Sequence, residues 1–293
     1  MIDIETTKQR LLTDVAPYIA SLPGPVGRAT PVPRLTVWAS TSDTSKISAV
    51  FEPMFYVVLR GTKVLTMGAN RFELRPGASA ASSFGLPYSH ELTGATRELP
   101  YVGISLHLDI DRLARVALDM PRQEERWSCA VAADDLSGVV GKAFVRLVGL
   151  VNTPDDIAVL APLYERELYY RLLQGPMGST LRQVVERDER GRQIKAAADW
   201  LGVNNNAPVA ISDLAASAGM SVTSFHRHFK AVTGYSPLAF QRQMRLLEAR
   251  KLLSAGGASV ASVAYEVGYQ SPSQFSREYK AKFGSAPSAD LSP

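Results

Sequence analysis

ISDLAASAGMSVTSFHRHFKAVTGYSP, residues 211–237, and ASVAYEVGYQSPSQFSREYKAKFGSAP, residues 261–287, are two copies of one pattern. Phe225 corresponds to Phe275, Arg227 to Arg277, Phe229 to Tyr279, Lys230 to Lys280, Gly234 to Gly284 and Pro237 to Pro287, always at a spacing of 50. Gly219 and Gly268 lie 49 apart, so the spacing slips by one residue within a turn. Each copy reads as helix, glycine-containing turn, helix. The glycines break the first helix, and Ser221 or Ser271 caps the second; in the second copy Pro272 takes the first helical position and Gln274 lies three after the cap. Aromatic residues four apart turn one face of each second helix inward. These spacings are those of a helix-turn-helix, whose second helix can enter the major groove of DNA. The two units fall at about 211–232 and 259–283.

Between them PLAFQRQMRLLEARKLL, residues 237–253, predicts a helix of four turns with Leu238, Met244, Leu247 and Leu252 on its apolar side. Such a helix is about 24 Å long and can hold two recognition helices about one DNA turn apart. With the aromatics inward, Thr223, His226, Arg227 and Lys230 remain for the outer faces of the first recognition helix. Ser273, Gln274, Arg277 and Lys280 remain on the second. Arginine and glutamine match the donor and acceptor pattern of guanine and adenine edges, serine and threonine serve either, and lysine suits phosphate.

The charge is placed to suit. The 293 residues carry a net +4, but from Arg190 onward twelve Lys or Arg face six Asp or Glu, a net of +6 that leaves −2 for residues 1–189. A basic segment joined to a slightly acidic one suggests a polyanion-binding module governed by another domain. The single cysteine, Cys129, argues against a disulfide framework, a zinc finger or an iron–sulfur site. No leader pattern opens the chain and no run of 18 apolar residues occurs, so a soluble cytoplasmic protein is expected, without membrane association.

The first half reads differently. A helix around Ile4–Leu22 and a Pro- and Gly-rich connector at 21–33 precede short strands at 35–38, 55–60, 62–67, 71–75 and 101–109. In the last, Val102, Ile104, Leu106 and Leu108 alternate as in a half-buried strand. So many short antiparallel strands predict a small barrel or sandwich. Phe55, Tyr56, Phe84 and Tyr88 are candidates to line a ligand pocket, although aromatics on strands commonly form core. His90 and His107 are too few for a catalytic metal centre, so no metal, no cofactor and no catalytic residues are expected. The apolar stretches 139–151 and 157–174 have helical periodicity; they would close the barrel or pair with those of a second subunit, and a homodimer through residues 1–180 is expected.

The stretches 213–253 and 262–284 resemble the DNA-binding domain of the AraC/XylS family of bacterial transcription regulators. FEPMFYVVLRGTKVLTMG (51–68) and FELRPG (72–77) resemble its subgroup with a cupin-like N-terminal domain, and residues 164–183 and 194–215 resemble its helical connector and first DNA-domain helix. The resemblance implies an α+β chain: a cupin-like β-barrel or sandwich with flanking helices over 1–180, and an all-α domain with two helix-turn-helix units over 190–290. It implies sequence-specific binding of double-stranded DNA, RNA polymerase as a partner, and an N-terminal domain that senses a small-molecule effector or dimerises; an activator is expected, although no residue separates activation from repression. Base contacts carried over by position fall on Thr223, His226 and Arg227, and on Pro272, Ser273, Gln274 and Arg277; Pro272 departs by offering no side-chain donor. Ala289-Asp290 stands where the family has an aromatic. The competing readings are a cupin-type enzyme with a helical accessory domain, which leaves the duplicated unit unexplained, and a nucleoid-type binder without sequence preference.

Overall fold

The computed structural model describes residues 4–19, 26–121, 129–136, 138–183 and 189–291. The first half begins with α1 (Ile4–Ile19) and continues through β1 (Val26–Ala29), β2 (Leu35–Ser40), β3 (Ile47–Phe51), β4 (Met54–Arg60), β5 (Thr62–Met67), β6 (Asn70–Leu74), β7 (Ala78–Ser82), β8 (Leu86–Thr93) and β9 (Tyr101–His107). Then come α2 (Ile110–Leu118), β10 (Val131–Asp135), α3 (Gly138–Gly149), α4 (Ile157–Gln174) and α5 (Gly178–Arg182). The expected helix end and the start of the connector, residues 20–25, lie outside the described residues, and the rest of the connector contains β1.

The expected cupin-like barrel does not form, and the placement in a cupin-like subgroup goes with it. Among the described residues the strands make two separate sheets, of order β1-β2-β9-β4-β7-β10 and β3-β8-β5-β6, and no ladder joins one to the other. The reason lies in what covers the larger sheet. On one face Leu11 and Val15 of α1, Phe144 and Leu147 of α3, and Leu168 and Leu172 of α4 pack on Val37, Phe55, Val57, Ile104 and Leu106. On the other, Tyr56, Val58, Ala80 and Tyr101 meet Leu65, Met67, Leu74, Leu86 and Leu92 of the smaller sheet. Helices, sheet and sheet therefore stack as layers. The expected half-buried strand at 101–109 is buried on both faces. The positions between its apolar residues are filled by Ser105, which accepts a hydrogen bond from the Trp38 indole at 2.8 Å, and by Tyr101, whose hydroxyl bonds that of Tyr56 at 2.9 Å.

A buried ion cluster fixes the helical layer. Glu165 of α4 is 2% exposed, and its carboxylate accepts from Arg34 at 2.5 and 2.7 Å and from Arg112 at 2.8 Å. The two guanidiniums compensate a carboxylate that would otherwise be costly to desolvate.

The second half comprises α6 (Glu189–Val203), α7 (Ile211–Ser217), α8 (Val222–Thr233), α9 (Pro237–Ala255), α10 (Val260–Glu266) and α11 (Pro272–Phe283). The linking helix α9 starts at a Ser236 cap with Pro237 in its first turn, and its 19 residues span about 28 Å. Its buried anchors are Phe240, Leu246, Ala249 and Leu253, while Leu238, expected on the apolar side, is exposed. The two ends of α9 serve different cores. Phe240 packs with Phe225 and Phe229 of the first unit, whereas Leu246, Ala249 and Leu253 pack with Val263, Phe275 and Tyr279 of the second, so no single stripe runs its length.

Candidate nucleic-acid interface

Local chemistry sets α8 and α11 alike. The Ser221 hydroxyl accepts from the Ser224 amide at 3.3 Å, and that of Ser271 from the Gln274 amide at 3.4 Å, so each helix begins on a side-chain cap. Gly234 and Gly284, at φ 79° and 80°, end the helices in the left-handed region and donate to the carbonyls of Lys230 and Lys280. Phe225, Phe229, Phe275 and Tyr279 are fully buried. Thr223, Arg227 and Lys230 on α8, and Ser273, Gln274, Arg277 and Lys280 on α11, are exposed; His226 and Pro272 are half-buried.

Among the positions where the copies differ, one changes what lies beside the exposed face. His228 of α8 has its Nε2 3.4 Å from an Arg227 guanidinium nitrogen. In α11 that place is taken by Glu278, which accepts from Gln274 at 3.1 Å and from the Tyr269 hydroxyl at 2.7 Å. Burial, and then the bond to Glu278, push the Tyr269 hydroxyl pKa up. One N–H of the Gln274 amide is thus already engaged within its own helix. Sequence reasoning missed this, and it missed Arg245. The Arg245 guanidinium donates to the carbonyls of Asn205, Ala207 and Gly268, joining the loop after α6 to the turn of the second unit. A Cβ at Gly268 would stand 2.3 Å from the Asn206 carbonyl oxygen, which explains the glycine there. Nothing local in the sequence announces contacts between segments so far apart.

In the first half, the four candidate pocket residues are not brought together. Phe55 meets Phe144 edge-on at 5.3 Å on the helical side of the larger sheet, whereas Tyr56, Phe84 and Tyr88 lie in the core shared by the two sheets. Lys63 lies 3.9 Å over the Tyr56 ring, and burial brings its pKa down to about 7. His90 stacks on Tyr88, and burial together with the charge of Lys63 lowers its pKa to about 3. His90 belongs to β8 of the smaller sheet and His107 to β9 of the larger. Among the described residues no three His, Cys, Asp or Glu side chains are grouped to hold a metal ion, and no helix is long and apolar enough to cross a membrane.

The two halves meet at backbone level. The Ala130 amide, just before β10, donates to the Val232 carbonyl near the end of α8 at 2.9 Å, and Gly68 in the β5–β6 turn abuts Gly234.

The family model for the AraC-type transcriptional regulator N-terminus matches residues 31–180, and a helix-turn-helix domain model matches residues 214–291. The virulence regulon transcriptional activator VirF of Yersinia enterocolitica is 30% identical over 158 residues, covering 53% of this chain and 56% of VirF. The HTH-type transcriptional regulator ExsA of Pseudomonas aeruginosa is 34% identical over 116 residues, 39% of this chain and 40% of ExsA. The chain thus spans about half the length of the curated relatives it matches. Among solved structures, ToxT of Vibrio cholerae with an unsaturated fatty acid bound superposes with a TM-score of 0.55 at 10% identity, over 89% of this chain and 96% of ToxT, a likeness of fold.

Proposed function

Because the chain belongs to the AraC-type transcriptional regulators, matched over residues 31–180, we propose that it regulates transcription by binding double-stranded DNA sequence-specifically through α8 and α11. The observation that carries this reading is the repetition: two capped helices present Arg and Lys at equivalent exposed positions, Arg227 with Lys230 and Arg277 with Lys280, over equivalent buried aromatics. Arg227 and Arg277 would read guanine edges, with Thr223, His226, Ser273 and Gln274 beside them, while Pro272 would contribute contact only. Lys230 and Lys280 would hold phosphates. The reading contains no catalytic step. RNA polymerase as the downstream partner, activation as the outcome and a small-molecule effector acting through the first half belong to the same proposal. Selection of bound fragments from random genomic DNA by the full chain, at about 150 mM salt because affinity falls steeply with salt, is the test. One enriched motif with two segments about 10 base pairs apart is expected. Even recovery of all fragments would instead favour a nucleoid-type binder.

A homodimer through the helices of residues 139–174 is also part of this reading, with α4 as its main surface. The valine-rich α3 turns Val140, Phe144, Val145, Leu147 and Val148 into the monomer core and leaves Val139 exposed. Exposed apolar side chains also remain on α4, where Val159, Leu163 and Tyr170 follow one another at helical spacing. A twofold pairing of these faces is expected to give a sedimenting mass of about twice the 31.8 kDa chain at micromolar concentration. The double variant V159E/L163E should sediment as a monomer. Parent protein that is monomeric throughout that range would reject the dimer.

A further inference from the structure

A cavity of about 390 Å³ lies between the smaller sheet and the second helix-turn-helix unit, within the roughly 300–1,000 Å³ typical of small-molecule sites. Lys46, immediately before β3, Arg242 of α9 and Lys282 of α11 converge on it from three elements, together with Thr66 and Ser89. None of the three cations forms an ion pair among the described residues. The Lys282 ammonium donates to Gln243, a neutral partner. Glu278 is the carboxylate on the cavity wall, and it is already engaged by Tyr269 and Gln274. Burial and the charge of Lys46 bring the Lys282 pKa down to about 8, as befits a cation without a counter-charge.

We propose that this cleft binds a compact, multiply charged oxyanion, a phosphate ester or a polycarboxylate, with Lys46 and Lys282 as its main charge partners. The chemistry follows from the wall: converging cations and hydroxyl-bearing side chains favour a hydrophilic anion over an acyl chain. The site also has a mechanical meaning. Lys282 lies five residues beyond Arg277, about 140° around a helix of 3.6 residues per turn, so it faces the sheet when Arg277 faces outward. An anion held by Lys46 and Lys282 clamps the second recognition helix to the first half, and its occupancy is coupled to the presentation of that helix to DNA. The consequence for DNA rests on the reading proposed above; the binding itself does not.

The test is calorimetric titration and thermal unfolding of the full chain without DNA, using inorganic pyrophosphate and citrate as probes. Saturable binding of at least one with Kd below about 1 mM, and a rise in Tm at saturation, are expected. Lys46→Gln or Lys282→Gln should weaken binding roughly tenfold or more, while Lys142→Gln, exposed on α3, should leave it unchanged. Should Lys282→Gln fail to fold, the exposed Lys46 carries the test alone. Absence of saturable binding of both probes up to about 10 mM, unchanged affinity in the folded variants, or preferential binding of decanoate would overturn the proposal. Since DNA is absent, such a failure beside intact motif selection removes the cleft and leaves the DNA-binding reading standing.

Discussion

Arg227→Ala is expected to weaken specific DNA binding by about 1–3 kcal/mol and to relax base preference at one end of the site, with Arg277→Ala doing the same at the other end. Both side chains are exposed and neither forms an ion pair among the described residues, so truncation removes a reader without unpairing a buried group. Their neighbours are the control. Lys230→Ala and Lys280→Ala should weaken all sequences evenly and reduce the salt slope by about one each, because a phosphate contact carries no base information. Binding to randomised sites at fixed salt separates the two classes: base-preference profiles of the Arg variants identical to that of the parent would refute the assignment.

The helix-turn-helix half was legible because its signals are local. Cap, glycine, proline and inward aromatic recur at fixed offsets, and each acts within one helix or turn. The paired sheets were only partly legible. The strands at 54–60 and 62–67 announce themselves by apolar content, but β7 is ASAAS and β8 is LPYSHELT, which read as loop. Small residues at β7 make sense only with the topology, because it is flanked by β4 and β10 and buried beneath both layers. Whether strands close into a barrel is decided by pairings between distant segments and by the helices that cover a face, and periodicity contains neither. The candidate readers Arg227 and Arg277 could be named from the repeat, whereas the bond that engages Gln274 depends on Glu278 and on Tyr269 from the preceding turn.

The seam between the halves is the other feature without a sequence signature, and it yields the second large effect. Gly68→Ala is expected to destabilise the protein by about 3 kcal/mol, combining left-handed strain with a clash that no rotamer relieves. At φ 55° a Cβ on Gly68 would stand 2.0 Å from the Gly234 carbonyl oxygen and 2.7 Å from its carbonyl carbon. A Cβ on Gly234 would in turn stand 2.8 Å from the Met67 carbonyl oxygen. Two turns thus touch backbone to backbone, and Gly234 is also the residue that ends α8. Gly94 supplies the comparison: it has φ 76°, and its added Cβ meets nothing within 4 Å. Gly94→Ala therefore carries strain alone and should cost about 1 kcal/mol. The difference between the two variants in chemical denaturation measures what the contact contributes to holding α8 against the smaller sheet. A fall in hydrogen-exchange protection at the Ala130 amide, confined to Gly68→Ala, would locate the loss at the seam, since that amide is bonded to Val232 across it. Equal losses for the two variants would assign the whole effect to backbone conformation and leave the contact between the halves without energetic weight.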